Sequence, residues 1–129
     1  MNEAELLNRT KRFALRVMTL VTAVPQNVKG RAIAAQLIRS GTSVAANYRA
    51  ACRGRSKAEF LAKLGTVEEE ADETAFWMEL IMEDGLLPAA KVHPLWCEAN
   101  EIVAIMVASR KTTASALRKS QIANQKSEI

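Results

Sequence analysis

Little in this 129-residue chain interrupts a helix, and little in it suits a strand. It contains 5 glycines and 3 prolines, and aromatic residues make up only 5% of it. All-β architectures need frequent turn residues and strands rich in β-branched and aromatic side chains, so the composition argues against them. No apolar stretch approaches the roughly 20 residues of a membrane-spanning helix, and no membrane partner is expected. The opening Met1-Asn2-Glu3-Ala4-Glu5 lacks the basic start and hydrophobic run of a signal peptide. Two cysteines, Cys52 and Cys97, have no second pair with which to build a disulfide framework or zinc site, which points to a reducing, cytoplasmic setting.

What is there is a globular balance, with 49% apolar and 25% charged residues in a length typical of one domain. The net charge of +4 hides a segregation. Residues 1 to 57 hold 11 basic and 2 acidic side chains, a balance of +9, whereas residues 58 to 101 hold 2 and 11, a balance of −9. The rest returns to +4. Two surfaces of opposite sign on one small domain either meet different partners or meet each other in an oligomer.

Four amphipathic helices are predicted. In the first, about Glu3 to Val24, the stripe is Leu6, Phe13, Val17, Leu20 and Val24, widened by Ala14, Met18 and Val21. Asn2 caps it, Pro25 ends it, and Arg9, Arg12 and Arg16 share a face. In the second, about Lys29 to Arg53, residues Ile33, Leu37, Val44, Tyr48 and Ala51 fall within an arc of roughly 60°, nearly opposite Arg31, Arg39, Arg49 and Arg53. Its middle, Arg39-Ser40-Gly41-Thr42-Ser43, is a poor helix former, to be explained by a close helix crossing or by a backbone opened to a ligand.

Ser56-Lys57-Ala58-Glu59 is a capping box and the clearest helix start in the chain. Phe60, Leu64, Val67, Ala71, Met78, Ile81 and Met82 then form one stripe as far as Asp84, and Gly85 suits a left-handed terminus. Glu69, Asp72, Glu73, Glu79 and Glu83 lie opposite, while Glu68 and Glu70 flank the stripe, where arginines at an interface could reach them. After Leu86-Leu87-Pro88 comes a turn or short helical piece, and Pro94 suits the first position of the fourth helix, whose stripe is Leu95, Ala99, Ile102, Val103 and Met106. The expected fold class is all-α, an antiparallel up-down-up-down four-helix bundle over residues 1–117, with a polar, disordered tail over residues 118–129.

The sole histidine, His93, belongs to no Glu-x-x-His pair, so a di-iron site is not expected, and neither is any metal or cofactor. Both cysteines read as small buried hydrophobes, and only a structure can place His93 near Cys97. Arg53-Gly54-Arg55-Ser56 is too short for a phosphate loop. The chain is therefore not expected to be an enzyme. Arginines grouped on helical faces, by contrast, suit the backbone of RNA or DNA. No aromatic side chains interleave them as base-stacking platforms.

Gln36-Leu37-Ile38-Arg39-Ser40-Gly41-Thr42-Ser43-Val44-Ala45-Ala46-Asn47-Tyr48-Arg49-Ala50 resembles the signature of the bacterial four-helix-bundle proteins named after intervening sequences in 23S ribosomal RNA genes. Arg55-Ser56-Lys57-Ala58-Glu59-Phe60 is similar to that family's third-helix start. So are Val67-Glu68-Glu69-Glu70-Ala71-Asp72-Glu73-Thr74, with Trp77 and Leu80, and Glu98-Ala99-Asn100-Glu101-Ile102-Val103-Ala104 in the fourth helix. The resemblance covers about residues 8 to 113. It implies an up-down bundle, in several relatives a homopentameric ring, and kinship with the accessory protein of diversity-generating retroelements, a basic pentamer that engages reverse transcriptase and nucleic acid. No catalytic residues transfer.

The expected function is a non-enzymatic, self-associating bundle presenting basic faces to RNA or DNA through Arg9, Arg12, Arg16, Arg49, Arg53 and Arg55. Phe76, Trp77 and Trp96, with Glu69, Asp72 and Glu73, are the expected oligomer interface. The alternative is a protein-protein adaptor that uses its acidic and basic faces without nucleic acid.

Overall fold

The computed structural model describes residues 1–127. Four helices follow one another: α1 (Glu3–Ala23), α2 (Val28–Cys52), α3 (Lys57–Asp84) and α4 (Ala89–Ser127). Each boundary has a local chemical reason. Asn2 accepts the Glu5 amide at 2.8 Å, Asn27 accepts that of Gly30 at 2.8 Å, and Ser56 accepts that of Glu59 at 3.1 Å. These bonds satisfy amides that have no partner inside the helix. Gly85 ends α3 at φ +73°, with its amide on Met82 and that of Leu86 on Ile81, the paired bonds of a Schellman terminus.

The helices pack in chain order as an all-α, up-down-up-down bundle. Val17 faces Gly41, Ser40 faces Thr74, and Glu68 faces Arg110, and the short connections 24–27, 53–56 and 85–88 make each successive pair antiparallel. Phe13, Val17, Leu37, Val44, Leu64, Val67, Met78, Ile81, Val92, Ile102 and Met106 are fully buried between them. Ile33 is half-buried at the margin. Against expectation, Met18 of the α1 stripe is exposed. The α1–α4 seam is short, whereas α2 and α3 are enclosed on both flanks.

The crossing of α1 and α2 explains the weak middle of α2. A Cβ built on Gly41 would lie 2.7 and 2.8 Å from the two γ-methyls of Val17, so the helices approach through the space a side chain would need. Beside it, the buried hydroxyls of Ser40 and Thr74 meet at 2.9 Å across the α2–α3 contact. A helix crossing, not a ligand, accounts for the glycine.

Two expectations about α4 need correction. Pro94 sits inside α4, which begins five residues earlier at Ala89, with the Lys91 amide on the Pro88 carbonyl. As the sixth residue of α4, Pro94 forgoes the bond an amide there would make to the Ala90 carbonyl, and both residues are exposed, so water can take that carbonyl. Nor does the helix stop near 117. The polar segment expected to be unstructured continues α4 through Ser127, with residues 118–127 all exposed. No glycine or proline follows Pro94, and Ala, Leu, Arg, Lys and Gln favour helix without tertiary contacts. Residues 128–129 of the expected tail lie outside the described residues.

Candidate nucleic-acid and assembly surfaces

The three arginines of α1 meet different fates. Arg9 points at α4 and grips Glu98 with two hydrogen bonds, Nε to Oε2 and Nη2 to Oε1, each 2.7 Å, while Glu101 takes a further bond from Nη2. The hydrogen bond with Glu98 raises the Arg9 guanidinium pKa, and the same bond lowers that of the Glu98 carboxylate. Arg9 therefore clamps the α1–α4 seam, with its Nε and Nη2 donors taken by Glu98 and Glu101. Arg12 and Arg16 are exposed and make no ion pair among the described residues. They edge a shallow groove along the same seam, walled by Leu15, Leu20, Pro94 and Leu95.

The second basic group gathers at one end of the bundle. Arg49 lies in the last turn of α2, Arg53 caps that helix, and Arg55 stands in the α2–α3 connection, where its amide donates to Glu59 at 2.6 Å. All three side chains are exposed and unpaired among the described residues. The antiparallel order sets them beside the N-terminal turns of α1. Arg49, Arg53 and Lys11 line a groove together with one acid, Glu3, and with Leu7, Ala45, Ala46 and Cys52. Burial pushes the Cys52 thiol pKa up, and burial does the same to the Tyr48 hydroxyl next to it. A thiol held protonated is a poor nucleophile, so this groove offers shape and charge without a reactive group.

On the acidic side, Glu69, Asp72 and Phe76 are exposed and follow helical spacing along the outward face of α3. Glu73 is half-buried and already engaged, since it pairs with Arg39 and accepts the Trp77 indole N–H at 3.1 Å. Phe76 lies edge-on to Trp77, ring centres 5.1 Å apart. Trp77 and Trp96 are half-buried within their own chain, and the Trp96 indole donates to Glu79 of α3 at 2.9 Å. Of the three aromatics assigned to an interface, Phe76 is the exposed one, at 48%. Glu68 and Glu70 do meet arginines, but those of the same chain: Arg110 at 2.7 Å and Arg39 at 3.2 Å.

These features sit on a bundle with known relatives. A family profile described as 23S rRNA-intervening sequence protein matches residues 2–108. The chain belongs to that family. A solved structure of a protein of unknown function from the S23 ribosomal protein family of Bacteroides thetaiotaomicron is similar, with a TM-score of 0.79 and 28% identity. The likeness covers 86% of this chain and 99% of that one. Comparison with curated proteins gives no match. The 23S rRNA-intervening sequence protein match takes in α1, α2, α3 and more than half of α4, including every assigned arginine and interface residue, and ends before the exposed turns beyond residue 117.

Sequence reasoning missed several contacts in this family member. The Cys97 sulfur lies 3.6 Å from His93 Nδ1, one helical turn away on α4, and His93 stacks at 5.4 Å on Trp96. The four-residue spacing was visible in the chain, and the helix starting at Ala89 is what turns it into a contact. Among the described residues, no three His, Cys, Asp or Glu side chains converge as a cation site. The anchoring roles of Arg39 and Arg110, and the exposure of Leu15 and Met18, needed the tertiary structure.

Proposed function

We propose that this protein is a non-enzymatic, self-associating bundle, in the five-membered ring its family resemblance implies, that lays its unpaired arginines along an RNA or DNA backbone. The observation that carries the reading is the division among its arginines. Arg9, Arg39 and Arg110 are held by carboxylates of the same chain, while Arg49, Arg53 and Arg55 crowd one end of the bundle without a paired acid among the described residues. Exposed guanidinium groups at short spacing displace counterions from phosphates and bind without reading sequence. Tyr48, the aromatic residue next to Arg49 in the chain, is buried in the core, so the reading assigns the contact to the backbone and not to stacked bases. Arg12 and Arg16 form a second exposed stripe on α1.

Fluorescence anisotropy with a labelled duplex and a labelled single strand, across a salt series, tests the reading. Binding that weakens steeply with salt, and is lost in Arg49→Glu/Arg53→Glu while the particle mass stays unchanged, is the expected result. No binding at low salt by an intact oligomer overturns it and leaves the adaptor reading, in which the same faces meet only protein.

A further inference from the structure

The outward faces of α1 and α3 are complementary in charge and each carries exposed apolar side chains. On α1, Leu15 is 55% and Met18 45% exposed, at a spacing of three, with Lys11, Arg12 and Arg16 around them. On α3, Phe76 is 48% exposed among Glu69, Asp72 and Glu83, all solvent-facing. An apolar centre with a charged rim is the anatomy of a protein interface, and large exposed side chains grouped this way ask for a cover. The two patches are of opposite sign, and α1 and α3 do not pack on each other within one bundle. They lie on diagonal helices and so look out in different directions.

We propose that the occupant of each patch is the other patch on a second copy of this chain. Phe76 of one subunit sits against Leu15 and the Leu20–Pro94–Leu95 wall of the α1–α4 groove of the next, and Arg12 and Arg16 face Glu69 and Asp72 across the contact. A patch that meets a different patch makes a head-to-tail contact, which closes into a ring when the rotation permits. An aromatic anchor at the centre supplies most of the affinity, and the charges set orientation and reject wrong pairings. This inference rests on the self-association in the proposed function. It assigns Arg12 and Arg16 to assembly and leaves Arg49, Arg53 and Arg55 to the polyanion.

Charge reversal followed by light scattering tests it. Arg12→Glu/Arg16→Glu is expected to raise the concentration of half-dissociation by about tenfold or more, since like charges then face each other. Phe76→Ala is expected to act in the same direction. Arg12, Arg16 and Phe76 are all exposed, and unchanged circular dichroism checks that the fold survives. The chain carrying Arg12→Glu, Arg16→Glu, Glu69→Arg and Asp72→Arg together is expected to regain assembly, because both faces are reversed. Wild-type mass in Arg12→Glu/Arg16→Glu, or no recovery in the fourfold variant, overturns the docking mode while self-association stands. A wild type that stays at 14.2 kDa at micromolar concentration overturns both and gives the faces to another kind of partner.

Discussion

At the scale of single residues, Gly41 shows how closely α1 and α2 approach each other. Two forces act on a methyl group added there. Alanine favours helix over glycine by about 1 kcal/mol. Against that, the new Cβ would sit under 3 Å from both Val17 γ-methyls, and a buried valine in a helix is stiff at χ1 and cannot swing aside. Overpacking of this kind costs about 1–3 kcal/mol, so Gly41→Ala should come out destabilising, by about 1 kcal/mol in chemical denaturation. Val17→Ala opens the space, and in that background the same change should be neutral or stabilising. A double-mutant cycle whose terms simply add would place the clash elsewhere. The poor helix-forming run Arg39 to Ser43 was legible in the chain, and so was the choice between a crossing and a ligand. Deciding between them required the partner, because Val17 belongs to a different helix.

Helices were legible to the degree that their ends carry local signals. The Ser56 cap and the Gly85 terminus bound α3 where the sequence placed them, since both work through neighbours a few residues away. The start of α4 was misplaced because Pro94 is a strong signal in the first helical position and still compatible with a later one. Its far end was misplaced for a different reason: polarity reports the absence of packing, not of helix. Residues 118–127 illustrate the distinction, being helical and wholly exposed. Removing 118–129 takes away no buried side chain among the described residues, so stability should change by no more than about 0.5 kcal/mol, or roughly 2 °C in Tm. The far-ultraviolet helical signal should fall by the share those residues contribute. A large drop in Tm would mean that this stretch packs against something, in the same chain or a neighbour.

For the whole molecule, the useful quantity is the arrangement of charge and not its total of +4. The alternating balance of +9 and −9 was readable from the chain and foretold two faces. Which arginines remain available was not readable, because pairing is decided by helix adjacency: Glu98, which takes Arg9, lies 89 positions away. That division makes a graded prediction. Each phosphate a cation neutralises adds about 0.9 to the slope of log K against log salt on duplex DNA. Arg49→Gln and Arg53→Gln should each reduce the slope by nearly one contact and weaken binding uniformly across sequences. Arg9→Gln should leave the slope unchanged, since its guanidinium already serves Glu98 and Glu101, while lowering the melting temperature by releasing the α1–α4 clamp. If Arg9→Gln lowers the slope as much as Arg53→Gln does, the clamp opens on binding and the whole α1 stripe must be counted as part of the polyanion surface.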